Sequence, residues 1–196
     1  MGKVIVNAAV SLDGYIADDS DGVGPLFDYY SNGDVEAIMG DPDRIFRVTP
    51  PTAEYLHRFA TANVGSMVVG RRLFDITNGW NGRPPAGEAV FVVTHEPPGD
   101  WPFPDAPFTF VTDGVAAAIS MAEDFAGDRD VSVNAGNIGG QAIGAGLVDQ
   151  VHLNLVPVLL GSGVKFFGDY AGAVKLLEDP EVIRGSRVTH LIYDVR

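Results

Sequence analysis

Between residues 66 and 158, short apolar runs alternate with stretches of helical periodicity, and this rhythm leaves the chain few architectures. Residues 66–70 (SMVVG) and 89–95 (AVFVVTH) are apolar at nearly every position. A strand with one wet face would alternate, so these two must be covered on both sides, as strands of a parallel sheet between helices are. Further β-rich runs stand at residues 4–10 (VIVNAAV), 108–113 (FTFVTD), 131–136 (VSVNAG), 151–161 (VHLNLVPVLLG) and 189–195 (THLIYDV). The chain ends on strand signals alone, which reads as an antiparallel C-terminal edge on a mostly parallel α/β sheet with helices on both faces.

Three helices are expected. Residues 51–63 begin at Pro51 and carry Tyr55, Phe59 and Ala62 on one stripe. Residues 113–128 carry Val115, Ile119, Ala122 and Phe125, with Asp113 as the cap and Gly127 as the stop. Residues 137–149 (NIGGQAIGAGLVD) are glycine-rich. Each helical glycine costs about 1 kcal/mol against alanine, so close backbone contact is the reason to expect them there. Residues 18–43 hold eight carboxylates and no basic side chain, and read as a long acidic loop inserted around residues 18–50 of a single domain, 1–196.

A formal net charge of −13 argues against sequence-independent grip on nucleic acid or an anionic membrane, because both need a basic face. There are no cysteines, which excludes disulfides, thiolate nucleophiles and cysteine-ligated zinc or iron–sulfur sites. That fits a cytoplasmic protein, as does an N-terminus without signal-peptide pattern; no run approaches the roughly 20 apolar residues of a membrane helix. No metal site is expected: in DDSDG (18–22) the first ligand of a calcium loop would fall on Ala17.

Chemistry gathers where strands end. After SMVV come Gly70, Arg71 and Arg72; after AVFVV come Thr94 and His95; after VSV comes the run from Asn134 through Gly140. Two guanidiniums, a hydroxyl, an imidazole and the amides that open a helix form a phosphate-binding inventory, at the strand ends where α/β sheets place ligands. The alternative is that the arginines cap a surface loop and the glycines serve tight helix–sheet packing. His152 and His190 lie in strand patterns and read as hydrogen-bonded or solvent-facing side chains, and His57 falls on the polar side of a surface helix.

The motifs VSLDGYIA, VVGRRLFD, VVTH, VNAGNIGGQAI, GLVDQVHLNLVPVLLGSGVKFF and VTHLIYDV resemble, in order, the dihydrofolate-reductase-like family. They are most similar to the reductase domain of the bifunctional riboflavin-biosynthesis deaminase/reductase. The resemblance implies NADPH lying across the strand ends. It places the 2′-phosphate end at Gly70, Arg71, Arg72, Thr94 and His95, the pyrophosphate at Gly136, Asn137, Ile138, Gly139 and Gln141, and the nicotinamide near Ala9 and Val10. Asp13 would orient substrate or relay a proton. The family commonly has a Gly-Gly pair where this chain reads Asn134-Ala135, which puts the pyrophosphate fit in question. The implied activity is NADPH-dependent reduction of a small nitrogen heterocycle or imine, such as 5-amino-6-(5-phosphoribosylamino)uracil.

A phosphorylated sugar would need a second basic pocket, with Arg44, Arg47, Arg83 and Lys165 as candidates. One alternative is a dihydropterin reductase with Asp28 or Glu36 as its acid; another is a non-catalytic NADP-binding regulatory protein. The relatives often pair through terminal strands, so a homodimer is expected. Phe27, Tyr29 and Tyr30 would either fold over the substrate as a lid or pack the acidic segment against the body.

Overall fold

The computed structural model describes residues 2–195. Its strands are β1 (Val4–Ser11), β2 (Tyr15–Ala17), β3 (Val35–Ile38), β4 (Ile45–Val48), β5 (Val64–Gly70), β6 (Ala89–Val93), β7 (Phe108–Val111), β8 (Asp130–Asn134), β9 (Gln150–Val156), β10 (Val164–Lys165), β11 (Glu181–Arg184) and β12 (Thr189–Asp194). The helices are α1 (Pro50–Leu56), which runs into a π-helical turn (His57–Thr61), α2 (Arg71–Ile76), α3 (Val115–Ala126) and α4 (Asn137–Gly144). Eight strands form one sheet in the order β11, β12, β9, β1, β8, β5, β6, β7. From β9 to β7 all pairs are parallel, and β12 and β11 add the antiparallel edge.

Handedness then distributes the helices. The chain leaves β5 toward β6 in one direction and returns from β7 through β8 to β9 in the other, and right-handed crossovers put the helices of opposite progressions on opposite faces. One face is a continuous core built on Val6, Val68, Val131 and Val133 under Ile119 of α3 and Ala142 of α4. The other carries three smaller cores, one around Phe74 of α2, one around Tyr55 and Leu56 of α1, and one around Leu26 and Tyr29. Alternate residues of β5 serve the two faces, Val68 one and Met67 with Val69 the other, which is why SMVVG is apolar apart from Ser66, whose buried hydroxyl donates to the Ala122 carbonyl at 2.9 Å.

Four local expectations are corrected. The acidic segment is not a structureless loop: residues Gly24–Ser31 form a 3-10 segment and β3 pairs with β4 as a hairpin, whose period-2 pattern is obscured in the sequence by the excess charge. The strand from residue 150 ends at Val156, because Pro157 has no amide to continue the ladder. Asp113 does not cap α3; Gly114 is the N-cap, and its φ of 88° is the reason for glycine there. Phe125 is 48% exposed, because a 100° step per residue carries it off the Val115 stripe and brings Ala126 onto it.

Candidate active site

β5 and β8 are neighbours, yet the helices that follow them, α2 and α4, lie on opposite faces of the sheet. A crevice opens at the carboxyl ends of such a pair, at the point where the winding reverses. Here it becomes a cleft of about 1010 Å³, at the upper end of the usual range for ligand pockets. Gly70 and Ile138 mark where its two halves meet: a Cβ on Gly70 would stand 3.0 Å from the Ile138 side chain.

Of the residues singled out in the sequence, Ala9, Gly70, Arg71, Arg72, Gly136, Asn137 and Ile138 line this cleft. Gly136 has φ 86° and caps α4, and the amides of the helix's first turn have no intrahelical acceptor. Gly139 serves the packing role: a Cβ there would approach Val6 to 2.9 Å. Gln141 is exposed on the far side of the first turn, and Val10 belongs to the opposite core. Neither Asn134 nor Ala135 has a positive φ, so the backbone of this turn does not need glycine at those positions. The Asn137 side chain accepts the Asp169 amide at 3.1 Å and so ties the loop after β10 to the start of α4.

Both arginines already have protein partners. Arg71 donates to Asp75 at 2.8 Å and, through Nη1, to the Glu96 carbonyl at 2.6 Å and the Thr94 hydroxyl at 3.4 Å. Thr94 therefore acts through Arg71, while His95 is an exposed neighbour. Arg72 pairs with Asp21 at 2.8 Å, across the mouth of the cleft. Such exposed pairs are worth about 0–1 kcal/mol, so a bound phosphate can exchange for either carboxylate at small cost.

The floor is polar in a way the strand patterns conceal. Asn7, Ser132, Asn134 and Asn154 face the cleft from β1, β8 and β9, and Asn7 donates to Ser132 at 2.8 Å. Behind them lies a buried network. His190 bridges Asn154 (2.7 Å) and Thr52 (3.2 Å), and His152 bridges Gln150 (3.1 Å) and the Tyr55 hydroxyl (3.4 Å). Burial pulls His152 down to about 3 and His190 to about 4, and pushes the Tyr55 hydroxyl well above its ordinary value. Both imidazoles are thus neutral hydrogen-bonding struts. The signal in the sequence was an asparagine inside each of three apolar strands, VIVN, VSVN and VHLN.

Asp13 lies outside the cleft lining. Its carboxylate accepts from the Ser11 hydroxyl (2.6 Å) and from the amides of Gly161 (2.7 Å) and Leu160 (3.1 Å). The Ser11 hydrogen bond, followed by those amides, holds this exposed carboxyl below the usual range. It fastens the turn after β1 to the segment that leads into the cleft residues Gly163, Val164 and Lys165. Asp28 and Glu36 do not line the cleft either; Glu36 is engaged by Arg47 at 2.6 Å. Among the candidate cations, Arg44 and Lys165 reach the cleft, whereas Arg83 is paired with Asp41 (2.9 Å) and Asp43 (3.1 Å).

Phe27 and Tyr30 of the acidic segment and Phe46 of β4 line the cleft, while Tyr29 is buried beneath, so the segment both packs the body and walls the site. Opposite stands an unusual turn. Asn78, Gly79, Trp80 and Asn81 all have φ between 48° and 54°, a full left-handed turn just after α2. Asparagine tolerates this region but tryptophan does not, so Trp80 alone stores about 1–2 kcal/mol of strain. Gly79 fits because a Cβ would come within 2.7 Å of both Phe74 and Trp101. Among the described residues no group of three His, Asp or Glu side chains could hold a metal ion, and no helix is long and apolar enough to cross a membrane.

A doubly wound α/β sheet, an antiparallel edge and a cleft at its switch point define the dihydrofolate-reductase-like class. Within it the chain belongs to the RibD C-terminal domain family, whose model matches residues 2–186. Similar solved structures include a candidate riboflavin biosynthesis protein from Shewanella sp. PV-4, with a TM-score of 0.70 at 21% identity over 99% of each chain. A pyrimidine reductase-like protein from Corynebacterium diphtheriae gives a TM-score of 0.64 at 15% identity, over 100% of this chain and 92% of that one. The diaminohydroxyphosphoribosylaminopyrimidine deaminase/5-amino-6-(5-phosphoribosylamino)uracil reductase of Thermotoga maritima gives 0.62 at 14% identity, over 100% of this chain and 57% of that protein. No curated protein matches the sequence.

Proposed function

We propose that this protein is an NADPH-dependent reductase of a small nitrogen heterocycle or imine, of the kind reduced in riboflavin biosynthesis. The observation that carries the reading is the convergence of Gly70, Arg71, Arg72 and the first turn of α4 on one cleft at the switch point of a RibD-type fold. The residues fit a dinucleotide. Arginine forks at the start of α2 suit the 2′-phosphate, the amides of Asn137, Ile138 and Gly139 suit the pyrophosphate, and Ala9 leaves a flat place for the nicotinamide. NADPH, when bound, supplies the hydride; the chain's own residues bind, orient and shield. The asparagine floor presents donors and acceptors to the substrate's ring nitrogens, and Asp13 positions the segment that leads into the cleft wall.

The Val174 and Leu176 side chains are 96% and 81% exposed in the segment that leads to the β11 edge, which supports a homodimer through this end of the sheet. The cysteine-free composition supports a cytoplasmic setting.

Calorimetric titration with NADPH and NADH tests the cofactor reading. NADPH should bind at least tenfold more tightly, and Arg71→Ala and Arg72→Ala should each remove about 1.4 kcal/mol or more of that preference. Failure of both nucleotides to bind would refute it.

A further inference from the structure

The left-handed turn after α2 has a use that the cofactor cleft alone does not explain. Trp80 lines the cleft, half-buried, and packs against the cluster of Val64, Met67, Val69, Phe74, Val90 and Val92. The chain's other tryptophan, Trp101, is engaged by Phe74, Phe103, Phe108 and Phe110 at centroid distances of 5.0–6.1 Å. Trp80 has no ring partner among the described residues, and its indole N–H has no acceptor there. A large aromatic side chain is thus held in an unfavourable backbone region at the lining of the cleft.

The turn is also braced. Trp101 donates its indole N–H to the Asn78 carbonyl (3.3 Å), Asn78 donates to Asn81 (3.0 Å), and the Thr77 hydroxyl donates to the Leu73 carbonyl (2.8 Å). Just beyond it, Arg83 grips Asp41 and Asp43 in the turn between β3 and β4. A Cβ on Gly40 of that turn would lie 2.2 Å from the Pro84 carbonyl, so the two walls are in direct contact.

Apolar side chains in the lining of the same cleft include Phe46, Phe59, Met67 and Ile76. A flat, polarisable face in an apolar recess recognises a planar aromatic ring by stacking.

We propose that Trp80 is the stacking platform for the substrate's planar heterocyclic ring, and that its left-handed turn exists to present the indole face to the cleft. This rests on the reductase reading of the site for the word substrate, but the stacking itself is testable without NADPH. The probe is 5,6-diaminouracil, with ribose 5-phosphate as a non-aromatic control. In Trp101→Phe, Trp80 is the sole tryptophan. Its emission should be quenched by the pyrimidine and not by the sugar phosphate.

In the full chain, Trp80→Phe should bind the pyrimidine within about threefold of wild type, and Trp80→Leu, apolar but without a ring face, at least tenfold more weakly. NADPH affinity should be unchanged in both. Absence of quenching up to millimolar pyrimidine, or equal affinity of the leucine and phenylalanine variants, overturns the proposal. Should Trp80→Leu fail to fold, the quenching in Trp101→Phe decides alone. If the pyrimidine binds as described but NADPH does not bind wild type, the reductase reading fails while the platform stands.

Discussion

Lowering the pH from 7.5 to 5.0 should cost this protein about 4 kcal/mol of folding stability through two histidines that never contact bulk water. In the unfolded chain each titrates near 6.5, whereas in the fold burial holds His152 at about 3 and His190 at about 4. The folded state therefore binds fewer protons than the unfolded one throughout this window. Stability is full above about pH 7 and falls as pH drops below 6.5, continuing until the folded values are reached. Each pH unit below 6.5 costs 1.36 kcal/mol per site, so the 1.5 units down to pH 5 give about 2 kcal/mol for each imidazole. For His152, Lys3 and Arg58 reinforce the effect and Asp194 opposes it.

The assay is urea unfolding at the two pH values, for wild type and for a variant carrying His152→Gln and His190→Gln. Glutamine keeps hydrogen-bonding capacity and removes the titration. The net charge of −13 shrinks toward pH 5, which stabilises both proteins, so the difference between their pH slopes isolates the histidines. A difference below about 1 kcal/mol would refute the claim that these rings are held neutral by burial.

Three further outcomes are expected. Gly140→Ala places a Cβ 2.2 Å from the Phe167 carbonyl and should lower stability by about 1–3 kcal/mol in thermal unfolding, while Gly144→Ala meets only the Tyr170 ring at 3.8 Å and should be neutral or stabilising by up to about 1 kcal/mol. The reverse order would show that α4 does not pack as described. Asp13→Asn should speed hydrogen exchange at the Leu160 and Gly161 amides and lower kcat about tenfold or more, with NADPH affinity intact; full activity with unaltered exchange would remove its positioning role. Light scattering at micromolar concentration should give twice the 20.8 kDa chain mass, and a monomer would rule out pairing through the β11 end.

The hairpin of β3 and β4 shows what sequence reading weighs badly. Its strands alternate as a half-buried hairpin should, around a Gly-Asp-Pro-Asp turn, but the surrounding carboxylates suggested solvated loop. Burial of Val48, Leu26 and Tyr29 against the body outweighs the local charge, and that burial depends on partners more than 100 residues away, such as Val156 and Val188. Asp13 teaches the converse. Its motif was visible, but the orientation of its carboxylate was set by amides at Leu160 and Gly161, which no local pattern could supply.

By itself, the sequence determined the parallel order of the α/β core, the antiparallel finish and the grouping of Gly70, Arg71, Arg72 and Gly136 at strand ends. Each follows from short-range causes: apolar runs too continuous for a wet face, a glycine at positive φ, and crossovers of one hand. Only the tertiary structure decided which of those residues share a cleft, that three strand asparagines form its floor, that two histidines lie dry behind it, and that Trp80 faces inward. Those facts depend on register between strands and on which face each residue meets, and a single residue's slip in register would reverse them.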